Sequence, residues 1–195
     1  MLTLEEKGIP YNKLLIDELN MPEWIQEVSP EKQIPFGTEL ESGKWLYDSD
    51  KMIPYLEDKY SDRKKLGKPD DVDKVGTNLM PSLIEYLTSK GSEEEEKRTA
   101  LLGVLREINN ALQKSDGPYF GGKDVNAADL RVAPQLKHVM IGTKAIKDFQ
   151  FPGELHGIHT LLEAMEGRQS WKKTYYTEKY VSDGWHKKME VMGAK

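Results

Sequence analysis

The sequence predicts two domains of different class: an α/β domain over residues 1–60 and an all-helical one over 72–195, joined by a linker at 61–71. Three observations carry this. Up to Tyr60, short extended stretches alternate with helix-like ones. Residues 61–71 then turn Lys/Asp-rich, carry Gly67 and Pro69 and hold almost no apolar side chains, the usual composition of a connection between domains. Beyond them, every apolar pattern has helical spacing.

Leu2, Leu4 and the Glu-Glu-Lys that follow read as the last turns of a helix closed by Gly8, since glycine enters the left-handed conformation of a helix end at no steric cost. No capping residue precedes them, so the helix begins abruptly. Residues 11–16 alternate polar and apolar side chains and suit a strand. Pro22 opens a helix that places Trp24, Ile25 and Val28 on one face and stops at Ser29-Pro30. Two further extended segments follow, one holding Ile34-Pro35-Phe36 and the other residues 44–47. Proline cannot donate to a sheet ladder, so Pro35 marks an edge. From Ser49 a helix runs through Met52, Ile53, Leu56 and Tyr60 with Pro54 inside it, an interior proline that removes one hydrogen bond. An exposed peptide edge beside a helix start is a receptor for another peptide bearing a carboxylate.

In the second domain, Val75, Leu79, Leu83 and Leu87 space out a helix over 72–90 that Pro81 bends. Glu93, Glu94, Glu95 and Glu96 form the acidic first turn of the next, favourable beside the positive end of its dipole. That helix continues through Leu101, Leu105, Ile108 and Leu112. Ser115-Asp116-Gly117-Pro118 and Gly121-Gly122 are turns. Asn126 and Asp129 then make a capping box with Asp in place of Glu, opening a helix whose apolar face is Leu130, Ala133, Leu136 and Met140. Another helix spans 151–167. The remainder is polar and aromatic, ends in a Lys-rich tail, and is expected to pack Trp171, Tyr175, Tyr176, Tyr180 and Trp185 among the C-terminal helices.

Composition narrows the function. The 195 residues are 37% hydrophobic and 31% charged, with a formal net charge of −5, an ordinary globular balance without the Lys/Arg surplus that nucleic-acid binding needs. Cysteine is absent, which removes disulfides, thiolate catalysis and Cys-based metal sites from these residues. His156 and His159 stand three apart without a carboxylate cluster, so no metal site is expected. No apolar run approaches the ~20 residues that span a bilayer, and the first residues lack the features of a signal or transit peptide. The expectation is a cytoplasmic monomer that binds neither nucleic acid nor membrane.

Several words, in order along the chain, carry a resemblance: Leu2-Thr3-Leu4-Glu5-Glu6-Lys7 with Pro10-Tyr11, Ser29-Pro30 with Ile34-Pro35, Asp48-Ser49-Asp50, Ser115-Asp116-Gly117-Pro118, Ala128-Asp129-Leu130 with Ala133-Pro134, and Glu178-Lys179-Tyr180-Val181 with Gly184-Trp185. In these the chain resembles the glutathione transferase superfamily and, within it, plant-type dehydroascorbate reductases. The resemblance implies a thioredoxin-like N-terminal domain that holds glutathione as cosubstrate, with no other cofactor, and dehydroascorbate as the substrate reduced to ascorbate. It implies a glutathione site at Gln33, Ile34, Pro35, Asp48 and Ser49. Ile34 would offer backbone groups to the cysteinyl part, Pro35 would be the family's cis proline, and Asp48-Ser49 would receive the γ-glutamyl end. A helix start and its hydroxyl favour such a carboxylate by about 0.3–1 kcal/mol from the dipole where exposed.

The chain also departs from the family. The resemblance places a nucleophilic cysteine in a Cys-Pro-Phe-type motif and a first strand ahead of the words with which this sequence opens, so both are expected upstream of Met1, as is any plastid-targeting segment. Met21 and Gln33 stand where lysines are usual. The chemistry needs a low-pKa sulfur, and the polypeptide as given is expected to be inactive. The alternative is a non-catalytic glutathione-binding or interaction module on the same fold. A membrane-inserting role like that of the related chloride intracellular channel proteins ranks last.

Overall fold

A computed structural model describes residues 1–17, 20–31, 34–39, 42–47, 49–67 and 75–193, with backbone alone at 49 and 50. In chain order the elements are α1 (Leu2–Lys7), α2 (Ile25–Val28), β1 (Phe36–Thr38), β2 (Trp45–Tyr47), α3 (Ser49–Lys59), α4 (Leu79–Thr88), α5 (Glu94–Gln113), α6 (Ala127–Lys147), α7 (His156–Glu166), α8 (Gln169–Thr174) and α9 (Glu178–Val191). A small sheet with its helices forms the thioredoxin-like N-terminal domain, and the rest is helical. Among the described residues, no helix is long and apolar enough to cross a membrane.

In the N-terminal domain α1 closes as its sequence demands, with Gly8 left-handed at φ 63°. β1 and β2 pair antiparallel in the register Phe36↔Tyr47, Gly37↔Leu46 and Thr38↔Trp45. Phe36 anchors the hairpin, its ring 5.9 Å from that of Trp24 and 5.8 Å from that of Trp45. α3 runs through Pro54 without ending.

Two expectations fail here. Residues 11–16 form no strand, and Leu14 and Leu15 are 71% and 65% exposed. Their alternation is real, but a strand persists only where a neighbour completes its ladder, and the described sheet has two strands, β1 and β2. α2 is only four residues long and starts after Trp24. Ile25 is fully buried while Trp24 stays largely outside.

The C-terminal domain is a helical bundle around one core that includes Leu79, Leu83, Leu105, Ile108, Leu136, Ile158, Leu161 and Met165, all at 0% exposure. α4 starts at Leu79; residues 72–74, where the helix is expected to open, lie outside the described residues, and between them and α4 Gly76 takes φ 79°, a left-handed break, where a Cβ would press on Val132 at 3.1 Å. Pro81 then falls in the first turn, where its missing N–H breaks no helical bond. Glu94, Glu95 and Glu96 occupy the first turn of α5 as expected. α6 opens on the capping box: the Asn126 side chain accepts from the Ala128 and Asp129 N–H groups, and the Asp129 carboxylate accepts from the Asn126 N–H at 2.8 Å. Asp129 also accepts from the Phe120 N–H at 2.9 Å, tying the preceding turn to the helix. Burial pushes its carboxyl up to about 6 despite these donors.

α7 begins at His156, later than expected, because residues 151–155 follow Pro152 through a turn before helical bonding starts. The polar and aromatic remainder forms α8 and α9, and α9 buries Trp185 and Met189. Of the aromatic residues expected to pack these helices, Trp171 and Trp185 do so, but Tyr175, Tyr176 and Tyr180 stay exposed, Tyr180 at 72%. A phenol can satisfy its hydroxyl in water, so aromatic content alone did not fix their side.

Candidate functional site

The hairpin and α3 build the candidate site. The β ladder ends at Phe36↔Tyr47, so the Ile34–Pro35 end of β1 lies at the same end of the hairpin as the chain entering α3 at Ser49. The Ile34–Pro35 peptide is cis, and both residues are exposed. Thus an open backbone segment and the start of an eleven-residue helix share one end of the domain. Gln33 and Asp48 lie outside the described residues, and for Ser49 the backbone alone places it first in α3. Lysines surround the helix: Lys44 and Lys59 stand 5.9 and 6.0 Å from the centre of the Tyr55 ring, and Lys59 also pairs with Glu39.

Behind α3 lies a charged joint whose members sequence reasoning missed. Lys7, buried in α1, donates from Nζ to Glu57 Oε1 of α3 and to the Lys64 carbonyl, both at 2.9 Å. Its neighbour Glu6 faces the other domain and accepts two bonds from one guanidinium, Arg168 Nε at 2.7 Å and a terminal nitrogen at 2.6 Å. Lys64 Nζ at 2.8 Å and Ser170 Oγ at 2.5 Å also donate to Glu6. Burial alone would raise the Glu6 carboxyl; the donors from Arg168, Lys64 and Ser170 outweigh it and hold it at about 2. Arg168 completes its fork on the Tyr119 hydroxyl at 3.1 Å. A cleft of about 530 Å³ borders this joint, lined by Glu5, Glu6, Tyr119, Arg168, Ser170 and Lys173. The signal available in the sequence was Glu6-Lys7 in a helix too short to stand alone, but nothing local named residues 57 and 168 as partners.

His159 Nε2 lies 3.1 Å from the Pro152 carbonyl, and among the described residues no group of three His, Cys, Asp or Glu could hold an ion.

Comparison with known proteins fits this architecture. The family described as "Glutathione S-transferase, N-terminal domain" matches residues 1–59. The cytosolic probable glutathione S-transferase DHAR1 of Oryza sativa subsp. japonica is 34% identical over 191 residues, covering 98% of this chain and 88% of its relative. The chain belongs to the glutathione S-transferase family, in its dehydroascorbate reductase branch. Another relative in this branch, the chloroplastic glutathione S-transferase DHAR3 of Arabidopsis thaliana, is 34% identical over 193 residues, 99% of this chain and 72% of the relative. The crystal structure of Chlamydomonas reinhardtii dehydroascorbate reductase superposes with a TM-score of 0.85 at 27% identity, covering 95% of this chain and 86% of that one. The glutathione S-transferase fold thus accounts for the pairing of a small-sheet domain with a helical one.

Proposed function

We propose that this chain serves the glutathione-dependent reduction of dehydroascorbate to ascorbate, receiving glutathione at the end of the hairpin. The observation that carries the reading is the shared placement of the exposed cis Ile34–Pro35 segment and the α3 start at Ser49. The backbone of Ile34, next to Gln33 and Pro35, meets the cysteinyl part of the tripeptide as a short added strand would. Asp48, Ser49 and the free N–H groups of the first turn of α3 meet the γ-glutamyl end, where the dipole favours a carboxylate. The domain border falls at 61–71, and the working form is a cytoplasmic monomer.

The net reaction takes two electrons and two protons from two glutathione thiols, which leave as one disulfide, and delivers them to dehydroascorbate. In the thiol–disulfide route a protein thiol and one glutathione give two electrons and two protons to dehydroascorbate as they join in a mixed disulfide, and a second glutathione resolves it, freeing the protein thiol and leaving glutathione disulfide. The 195 residues contain no cysteine, so within them the chain's contribution is the glutathione receptor. That same fact favours a second reading, a non-catalytic glutathione-binding module. Two measurements test these readings. Retention on immobilised glutathione, released by free glutathione, is expected under both, and a folded chain that passes straight through refutes both. Coupled ascorbate formation by this polypeptide is expected not to exceed the uncatalysed rate; turnover above it would overturn the reading that these 195 residues supply the glutathione receptor alone.

A further inference from the structure

We propose that Glu6 and Lys7 make the placement of α3 depend on Arg168 of the C-terminal domain, so that the proposed glutathione receptor is positioned from across the domain border. The link to glutathione rests on the function proposed above, while the dependence of α3 on Arg168 does not.

The argument begins with two adjacent side chains of opposite charge on a six-residue helix. So short a helix has little stability of its own and takes its orientation from its partners. Glu6 is held by four donors that include a two-point Arg168 fork, which fixes angle as well as distance. Lys7, with its side chain at 0% exposure, is held by Glu57, two turns into α3. An ion pair removed from water in this way cannot drift apart without leaving a charge stranded, so α3 follows α1 and α1 follows Arg168.

The segment after α3 completes the joint. Arg63 donates to the Gly8 carbonyl at 2.7 Å, and Lys64 touches Glu6 with its side chain and Lys7 with its carbonyl. The Leu66 N–H donates to Glu57 Oε2 at 3.2 Å, and the Leu66 carbonyl accepts from Ala127 N–H at 2.8 Å, the first residue of α6. Glu57 therefore has one oxygen on α1 and the other on the segment that enters the C-terminal domain. Tyr119 supports Arg168 from the remaining side, with its hydroxyl at 3.1 Å and its ring centre 5.6 Å from the guanidinium carbon. Arg168 touches Glu6 and Tyr119, and Glu57 touches Lys7 and Leu66, so the ion-paired route between Arg168 and α3 runs through α1, beside the backbone tie from Leu66 to Ala127.

Hydrogen exchange on the full chain tests this, comparing wild type with Arg168→Met, the milder Arg168→Lys and Tyr119→Phe, the last leaving the fork on Glu6 in place. In Arg168→Met, amides of residues 50–59 are expected to exchange about tenfold faster, a typical size for coupling between sites, while the centres of α5 and α7 stay unchanged. Arg168→Lys is expected to fall between Met and wild type. Acceleration confined to α1 and α8, or spread evenly over every helix, overturns the proposal, because either outcome is what a merely local or merely global stabilising contact would give. If Arg168→Met does not fold, the same comparison is read from Arg168→Lys and Tyr119→Phe. Binding of free glutathione by calorimetry separates the two claims. A wild-type chain that ignores glutathione while α3 answers to Arg168 sinks the functional reading alone. Where the wild type binds glutathione, an Arg168→Met chain with unchanged affinity and unchanged α3 exchange sinks this inference alone.

Discussion

The two domains are held by different means. The C-terminal domain closes around a contiguous apolar core to which each of α4–α9 contributes, whereas the buried apolar side chains of residues 1–60 are Ile9 and Ile25 among those described. The N-terminal region instead leaves Leu14, Leu15, Trp24, Ile34, Trp45 and Tyr47 facing outward and is tied down by charged groups at its border. Apolar burial stabilises without direction, while ion pairs with several hydrogen bonds fix angles more than they add net stability. The first suits a scaffold, and the second suits a receptor whose geometry matters.

That contrast can be broken by substitution. Its largest expected effect is in the scaffold: Leu136→Ala, at a fully buried position, should cost about 2–5 kcal/mol in urea unfolding through lost transfer energy and the cavity left behind. A loss below ~1 kcal/mol would mean the core can collapse around the gap. Next comes the border. The Glu6 carboxyl sits at about 2 when folded against an ordinary 4.5. Its contribution is therefore fully present above 4.5 and lost as the pH falls through 2. The stability difference between wild type and Glu6→Gln should be on the order of 2 kcal/mol at neutral pH, after allowing for solvent screening. It should shrink steadily below pH 4.5, and a difference independent of pH would assign Glu6 a packing role instead. The smallest effect belongs to the exposed stretch. Leu14→Ser should change stability by no more than about 0.5 kcal/mol, and a larger loss in the same unfolding experiment would show that Leu14 is covered in solution.

What could be read from the sequence follows the same division. Local chemistry announced itself: Gly8 as a helix end, Asn126 with Asp129 as a cap, the acidic start of α5, and the hairpin running into α3. The helices of the C-terminal domain were legible because their burial repeats at helical spacing, although the turn after Pro152 delayed α7 by conformational rules that act before periodicity does. Residues 11–16 misled because alternation specifies a strand only when a partner strand exists. Tyr175, Tyr176 and Tyr180 misled because a phenol is content on either side of a surface. At the candidate site, the Ile34–Pro35 segment and the start of α3 at Ser49 lie at one end of one hairpin, a short-range event. Glu57 and Arg168 converge on α1 from 50 and 162 residues away, and no pattern along the chain encodes such a meeting.

Leu66 carries one more consequence. Its side chain belongs to the core of the second domain, while its N–H is held by Glu57 of the first. A protease that cut the chain just ahead of it would not release two intact halves. The front piece would lose the clasp on Glu57, and the back piece would have its plug attached to a loose end. The border between the domains is therefore a shared part, and the two domains should melt together in a single calorimetric transition.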